Sequence, residues 1–274
     1  MTNKLFYIHP EAIIAQSVEI GPFSYIDKNV VIDEGTWIGP NVTILEGSRI
    51  GKNCKIFPGA VIGAIPQDLK FRGEETLAII GDDTTIRECV TINRGTAAKE
   101  KTLVGSNCLL MAYVHVAHDC VVGNNVILVN GTTLGGEVEI DDWAIISANT
   151  LIHQFCKIGK HVILAGNSLV GKDIPPYVKG ARCPISYAGI NSVGLRRRNF
   201  KDDKINEIQD IYRIIFNKGL PTVKAVETIY NKFPETNERN EILNFIENSS
   251  RGIIKGYFDQ NKVYKQNEPV PVYK

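Results

Sequence analysis

The 274-residue sequence has no run of 18 apolar residues, so no segment of it is expected to cross a membrane as a helix. Its first residues, MTNKLFYIHP, contain no apolar core segment, so no signal peptide is expected. It has no excess of charge: 31 basic side chains face 30 acidic ones, a net of +1, which excludes the broad basic field of a nucleic-acid or membrane-surface binder. The six cysteines lack the paired spacing of a metal site or a secreted disulfide framework. These absences describe a reduced, cytoplasmic protein without membrane insertion or a nucleic-acid partner.

What is present is a repeat. Ten isoleucines, from Ile8 and Ile14 through to Ile56 and Ile62, stand at an unbroken spacing of six. The series resumes at Ile80, Ile86 and Ile92, and again from Val104 and Leu110 to Leu164 and Val170, always in the same register. The interruptions, roughly 64–78 and 94–102, are expected to leave as loops and rejoin the frame. A period of six fits neither a 3.6-residue helix nor a plain alternating strand. It fits a solenoid whose coil has three flat sides of six residues, with one branched apolar residue per side pointing inward.

Strand side chains alternate faces, so the position two before each repeat residue also points inward. It is often small, as at Ala12, Ser24, Cys54, Cys108, Cys120 and Cys156. Cysteine there is expected to be small core filler. Glycine often follows the repeat residue, as at Gly39, Gly51, Gly105 and Gly135, and is expected to supply positive φ at the corners. After Asp173-Ile-Pro-Pro-Tyr177 the period is lost. Ile205, Ile208, Ile211, Tyr212 and Ile215 then form a stripe at helical spacing. Thr222 is a candidate cap for a second helix, and Glu238 to Asn248 suggests a third. The expected organisation is a mainly β chain: a β-helix domain over 1–190 and a C-terminal helical domain over 191–274.

Residues one 18-residue coil apart lie above one another, about 4.8 Å apart. Gly136 therefore stacks on His118 and Gln154 on Gly136, while Ala117, Gly135 and His153 form a neighbouring column. His115 precedes Val116 and faces outward on the same side. Asp119 follows His118 and is placed to orient an imidazole, the arrangement expected of a general base.

Several segments together resemble the UDP-N-acetylglucosamine acyltransferase family of hexapeptide-repeat enzymes, which open lipid A synthesis. They are AIPQDLKFRGE at 64–74, HVAHDC at 115–120, IHQFC at 152–156, DIPPYV at 173–178, GLRRRNF at 194–200 and SSRGII at 249–254. The resemblance spans nearly the whole chain. It implies a left-handed coil and an O-acyl transfer from acyl carrier protein to the glucosamine 3-hydroxyl of UDP-N-acetylglucosamine. It implies no metal or other cofactor beyond the carrier's phosphopantetheine, and a homotrimer.

By the same resemblance His118 is the general base, Asp119 its support and Gly136 the oxyanion donor. Asp68, Lys70, His115, His153 and Gln154 contact substrate. Asn191, Arg197 and Arg198 belong to the nucleotide end, and Gly166 sets acyl-chain depth. Two positions depart from the family pattern: Glu137 stands where a histidine is common, and Val193 where a glutamate is common. The run Arg196-Arg197-Arg198 with Lys201 and Lys204 is a local basic patch suited to an acidic carrier protein.

Three other readings compete. His115, His118 and His153 are candidate zinc ligands of the kind used by hexapeptide-repeat carbonic anhydrases. A related N-acyltransferase carries a domain before its repeats, whereas these repeats begin at Ile8. A non-catalytic scaffold leaves the His118–Asp119 pair and the PQDLK loop without a purpose.

Overall fold

The computed structural model describes residues 5–256. Residues 1–4 of the expected first domain and 257–274 of the second lie outside them. Short parallel strands, mostly of two residues, stack into three sheets that close a left-handed β-helix. The first sheet runs in nine strands from Tyr7–Ile8 to Leu169–Val170, and the second in eight from Ile13–Ile14 to Lys157–Ile158. The third has ten strands, beginning at Glu19–Ile20. Its last, Ser186–Ile190, pairs antiparallel with Val178–Ala181.

In each two-residue strand the residues point to opposite faces, so the second, the repeat residue, fills the prism. From Ile26 to Leu164 most of these side chains are 0–1% exposed. Each coil thus lays three branched side chains directly over three others. A polar substitution there would strand an unpaired group in an apolar column. Cys54, Cys108, Cys120 and Cys156 lie in the same interior. Burial pushes the thiols up, to about 11 for Cys54 and Cys156 and to about 12 for Cys120, so they are inert filler rather than nucleophiles.

The ordinary coil advances the register by 18 residues, as in Tyr25 opposite Thr43. Across the first interruption Ile62 pairs with Ile92, and across the second Ile92 pairs with Val116. Both insertions are multiples of six, which is why the frame survives them. Strand pairing narrows the excursions to 65–76 and 94–100. Both leave the first sheet at its corner with the second.

The corners differ from the expectation. Positive φ falls on the third residue after the repeat residue, where asparagine is the commonest type, as at Asn29, Asn41, Asn53 and Asn125, and glycine is also used, as at Gly35 and Gly59. Most glycines directly after the repeat residue serve close approach instead, although Gly63 also has positive φ, +81°. A Cβ on Gly39 would come within 3.1 Å of the Ile56 carbonyl oxygen, and one on Gly105 within 2.6 Å of that of Gly123.

Beyond the β-helix the described residues form four helices: α1 (Ser192–Arg197), α2 (Asp202–Asn217), α3 (Thr222–Lys232) and α4 (Asn237–Glu247). The stripe on α2 is buried as expected. The short α1 has no apolar period and was not foreseen. Thr222 is the first residue of α3 rather than its cap, which is Pro221. The helices are fastened to the prism by polar contacts. Buried Asp173 accepts from the Ser249 hydroxyl at 2.6 Å and from the Lys157 N–H at 2.8 Å. The segments DIPPYV and SSRGII therefore meet, although some 70 residues separate them. Glu241 of α4 accepts from the Tyr177 hydroxyl and from Lys160, the latter at 2.8 Å.

Candidate active site

His118 lies two residues past Val116, where the chain turns from the first sheet to the second, and is 8% exposed. Asp119 occupies the corner's positive-φ slot, with φ +60°, and is fully buried. Its Oδ2 lies 2.8 Å from His118 Nδ1.

The rest of the carboxylate is held by the second excursion. The Thr96 hydroxyl donates to Oδ2 at 2.6 Å, and the backbone N–H groups of Thr96 and Lys99 donate to Oδ1 at 2.9 and 3.3 Å. Burial pushes the Asp119 carboxyl up. The hydrogen bonds from Thr96 and His118 outweigh it and hold the group below its ordinary value. An ionised Asp119 accepts only, so Nδ1 of His118 carries a proton, and in the neutral ring the lone pair is then on Nε2.

Gly136 faces that nitrogen. A Cβ there would stand 2.6 Å from both Cε1 and Nε2 of His118, so only glycine leaves the ring its place. The peptide group after Gly136 is pinned at both ends: the Glu137 N–H donates to the His118 carbonyl at 3.0 Å, and the Gly136 carbonyl accepts from the Phe155 N–H at 3.1 Å. The peptide before it is held through the Gly135 carbonyl, which accepts from the Cys120 thiol at 3.1 Å. The Gly136 N–H itself has no acceptor among the described residues. A base with a directed lone pair thus sits beside an unclaimed, rigid donor. That combination can deprotonate a hydroxyl and stabilise an oxyanion.

The other expected residues spread over the prism. His115 faces outward on the first sheet, its Nδ1 2.7 Å from the Thr91 hydroxyl, and burial pushes its imidazole down. His153 and Gln154 sit on the same corner as His118, two coils on, with a Gly135 Cβ position 2.8 Å from the Gln154 nitrogen. Asp68 and Lys70 lie in the first excursion, where Asp68 Oδ1 accepts from the Lys70 N–H at 2.9 Å. All of these belong to the first sheet or its corner with the second.

Arg198 does not. It lies over the Trp143 ring at 5.0 Å on the corner between the second and third sheets, and its buried Nη1 has no partner among the described residues. Arg197 is exposed on α1. Asn191 is buried and fully engaged: its Oδ1 accepts from the Gly194 N–H at 3.1 Å, capping α1, and its Nδ2 donates to the His161 carbonyl at 2.9 Å. Gly166 is exposed on the third corner, between the third and first sheets. In the basic patch Arg196 pairs with Asp202 at 3.0 Å, and Lys204 with Glu207 and Glu238 at 3.1 and 3.3 Å.

Sequence reasoning missed Thr96 and Lys99. The one available signal was their place in an insertion that leaves from the corner carrying His118. Among the described residues no group of three or more His, Cys, Asp or Glu side chains is arranged to hold a metal ion.

Residues 173–254 match the family described as UDP-N-acetylglucosamine O-acyltransferase, domain 2, and residues 101–136 match the bacterial transferase hexapeptide repeats. Residues 2–103 match the GMPPB C-terminal domain family. An acyl-[acyl-carrier-protein]–UDP-N-acetylglucosamine O-acyltransferase of Pseudomonas syringae pv. tomato is 47% identical over 90% of this chain and 96% of its own length. The crystal structure of a UDP-N-acetylglucosamine acyltransferase from Bacteroides fragilis superposes with a TM-score of 0.90 at 55% identity, covering 93% of this chain and all of the other. The Francisella novicida enzyme gives 0.90 at 42%, with 94% of both chains covered. With such likeness running from the first coils to the last helix, the chain belongs to the acyl-[acyl-carrier-protein]–UDP-N-acetylglucosamine O-acyltransferase family.

Proposed function

We propose that this protein moves a 3-hydroxyacyl chain from acyl carrier protein to the glucosamine 3-hydroxyl of UDP-N-acetylglucosamine, the first step of lipid A biosynthesis, in the cytoplasm. The observation that carries the reading is the His118 imidazole, tied through Nδ1 to buried Asp119 and presenting Nε2 beside the unclaimed Gly136 N–H. Nε2 takes the proton of the sugar hydroxyl as its oxygen attacks the thioester carbonyl. The Gly136 N–H receives the negative charge of the tetrahedral oxygen, a contribution of about 3 kcal/mol to the barrier. Collapse breaks the carbon–sulfur bond, and the proton held by His118 passes to the departing phosphopantetheine thiolate. The buried cysteines take no part, and neither a covalent enzyme intermediate nor a metal ion is needed.

Asp68, Lys70, His115, His153 and Gln154 line the approach to this centre. Arg197 and Arg198 meet the nucleotide diphosphate, for which a planar, permanently charged fork is suited. Asn191 serves that end by holding α1. Gly166 leaves room for a long acyl chain.

The active unit is a homotrimer. His118, Arg198 and Gly166 occupy three different corners of one prism, whose sides of six residues span up to about 20 Å each. Corners of neighbouring copies brought together would complete a site that one chain spreads apart. Sedimentation at micromolar concentration checks this, and a monomer would overturn it.

The reaction is tested by incubating the purified protein with 3-hydroxyacyl carrier proteins of several chain lengths and UDP-N-acetylglucosamine or its 3-amino analogue, with and without chelator. Chelator-insensitive O-acylation that vanishes in His118→Ala is expected. Transfer that survives in His118→Ala removes the base, and acylation of the amino sugar alone changes the acceptor.

A further inference from the structure

The second excursion, residues 94–100, has no period and no regular structure, yet its backbone and one side chain converge on the carboxylate behind His118. We propose that Thr96 is a positioning residue for the acyl transfer, fixing Asp119 as an anion in the single orientation that aligns the His118 base. The proposal rests on the reading of His118 and Asp119 given above.

The direction of the Thr96 hydroxyl proton follows from its two partners. Its Oγ1 accepts from the Ala98 N–H at 3.2 Å, and so its own proton is free for Asp119 Oδ2 at 2.6 Å. Oδ2 is the same oxygen that receives His118 Nδ1–H. The hydroxyl therefore sits on the atom that orients the imidazole, while the two backbone N–H groups hold the other oxygen. Asp119 cannot turn without leaving a buried charge unpaired, a loss of the size expected when a charged group forfeits a hydrogen bond. Its own N–H is pinned as well, donating to the Thr102 hydroxyl at 2.8 Å where the excursion rejoins the sheet.

The loop is itself rigid. Gly95 donates to the Leu77 carbonyl at 3.1 Å and accepts from the Thr76 hydroxyl at 2.6 Å. Lys99 reaches Glu139, two coils further along the second sheet, at 2.9 Å. Asn93, at its entrance, donates to the Ile65 carbonyl at 3.1 Å, so the same loop anchors the start of the first excursion, which carries Asp68 and Lys70. A hydroxyl held by so stiff a frame gives the carboxylate little freedom, which is what alignment of a base requires.

The test is a set of variants assayed for kcat and KM with acyl carrier protein substrate and UDP-N-acetylglucosamine. Thr96→Val keeps the shape and removes the donor. It is expected to lower kcat roughly ten- to a hundred-fold, the kinetic equivalent of one hydrogen bond to a charged group, with KM for the sugar nucleotide nearly unchanged. Thr96→Ser, which keeps the hydroxyl, is expected to retain most of kcat. In an Asp119→Ala background Thr96→Val is expected to cost nothing further, because the group it positions is gone.

Thr96→Ala replaces the valine variant if that one does not fold at the assay temperature. Equal losses in the serine and valine variants, or a valine loss that adds in full to that of Asp119→Ala, overturn the proposal in favour of simple packing. If Asp119→Ala and His118→Ala collapse while Thr96→Val turns over normally, Thr96 loses its role and the base assignment stands. If His118→Ala and Asp119→Ala remain active, both fall together.

Discussion

The backbone of Gly136 comes so close to the imidazole of His118 that a single added methyl would sit 2.6 Å from the ring's Nε2. Gly136 is not among the residues with positive φ, so alanine can adopt its backbone and keeps its N–H. The damage from Gly136→Ala is therefore to the position of the base. The expected result is a fall in kcat of about a hundred-fold, with a melting temperature close to wild type. Steady-state kinetics beside thermal melts decide it. A large loss of stability with kcat preserved in the folded fraction would mean that the ring tolerates the methyl and the coil does not.

A second prediction concerns acid. His161 is sandwiched between the rings of Trp143 and Tyr177, with Phe200 at its edge. Its buried Nδ1 has no partner among the described residues. Burial, aided by the Arg198 charge, pushes its imidazole down from 6.5 to about 4. The unfolded chain therefore binds this proton first. Stability is intact above pH 6.5 and declines between pH 6.5 and about 4, by up to about 1.4 kcal/mol per pH unit. His161→Phe removes that decline, and its backbone slot already accepts phenylalanine at Phe23 and Phe155. Denaturant unfolding at pH 7.5 and pH 5 is expected to show the variant gaining on wild type at the lower pH. A gap that is the same at both would show that the proton does not matter.

Much of this was legible beforehand because a solenoid turns sequence distance into spatial distance. An 18-residue step from His118 reaches Gly136, and the two do touch. The arithmetic works for residues in coils and stops at the insertions. Thr96 meets Asp119 across 23 residues of chain, a spacing fixed by the path of a loop and by no period. The helical domain escaped in a similar way. Asn191 caps a six-residue helix too short to leave a hydrophobic period, so only the folded chain shows where its amide is spent. Likewise Arg196 and Lys204 look like free charges in sequence, and their neutralising partners become visible only when the chain has folded.

Arg198 supplies the third prediction. Its guanidinium stacks on Trp143 and donates from Nη2 to the Trp143 carbonyl at 3.3 Å, which fixes the plane of the fork. Among the described residues the buried Nη1 has no partner, so an anion that reached the fork would find a donor already oriented and unclaimed. Arg198→Ala is expected to raise KM for the sugar nucleotide more than about ten-fold while kcat changes little, since the contact is equally present in ground and transition states. A variant with unchanged KM and reduced kcat would place this charge at the reacting centre instead.

The last prediction concerns chain length. Gly166 stands on the corner between the third and first sheets, beside outward-facing Leu151 and Leu169 of the first sheet, which are 48% and 57% exposed. A Cβ at Gly166 would meet only the Ala148 carbonyl oxygen closely, at 3.2 Å, so the backbone accepts a side chain with a small shift. What a larger residue would fill is the space in front of the corner, along the apolar strip. Gly166→Met is therefore expected to fold normally and to shift the preferred donor to an acyl chain shorter by several carbons. Each methylene excluded from an apolar surface forfeits about 0.8 kcal/mol of binding, so the change should appear as a steep, length-dependent fall in kcat/KM. A scan of donor lengths against wild type and variant reads it directly. A uniform loss across all lengths would place the end of the acyl chain elsewhere on the prism.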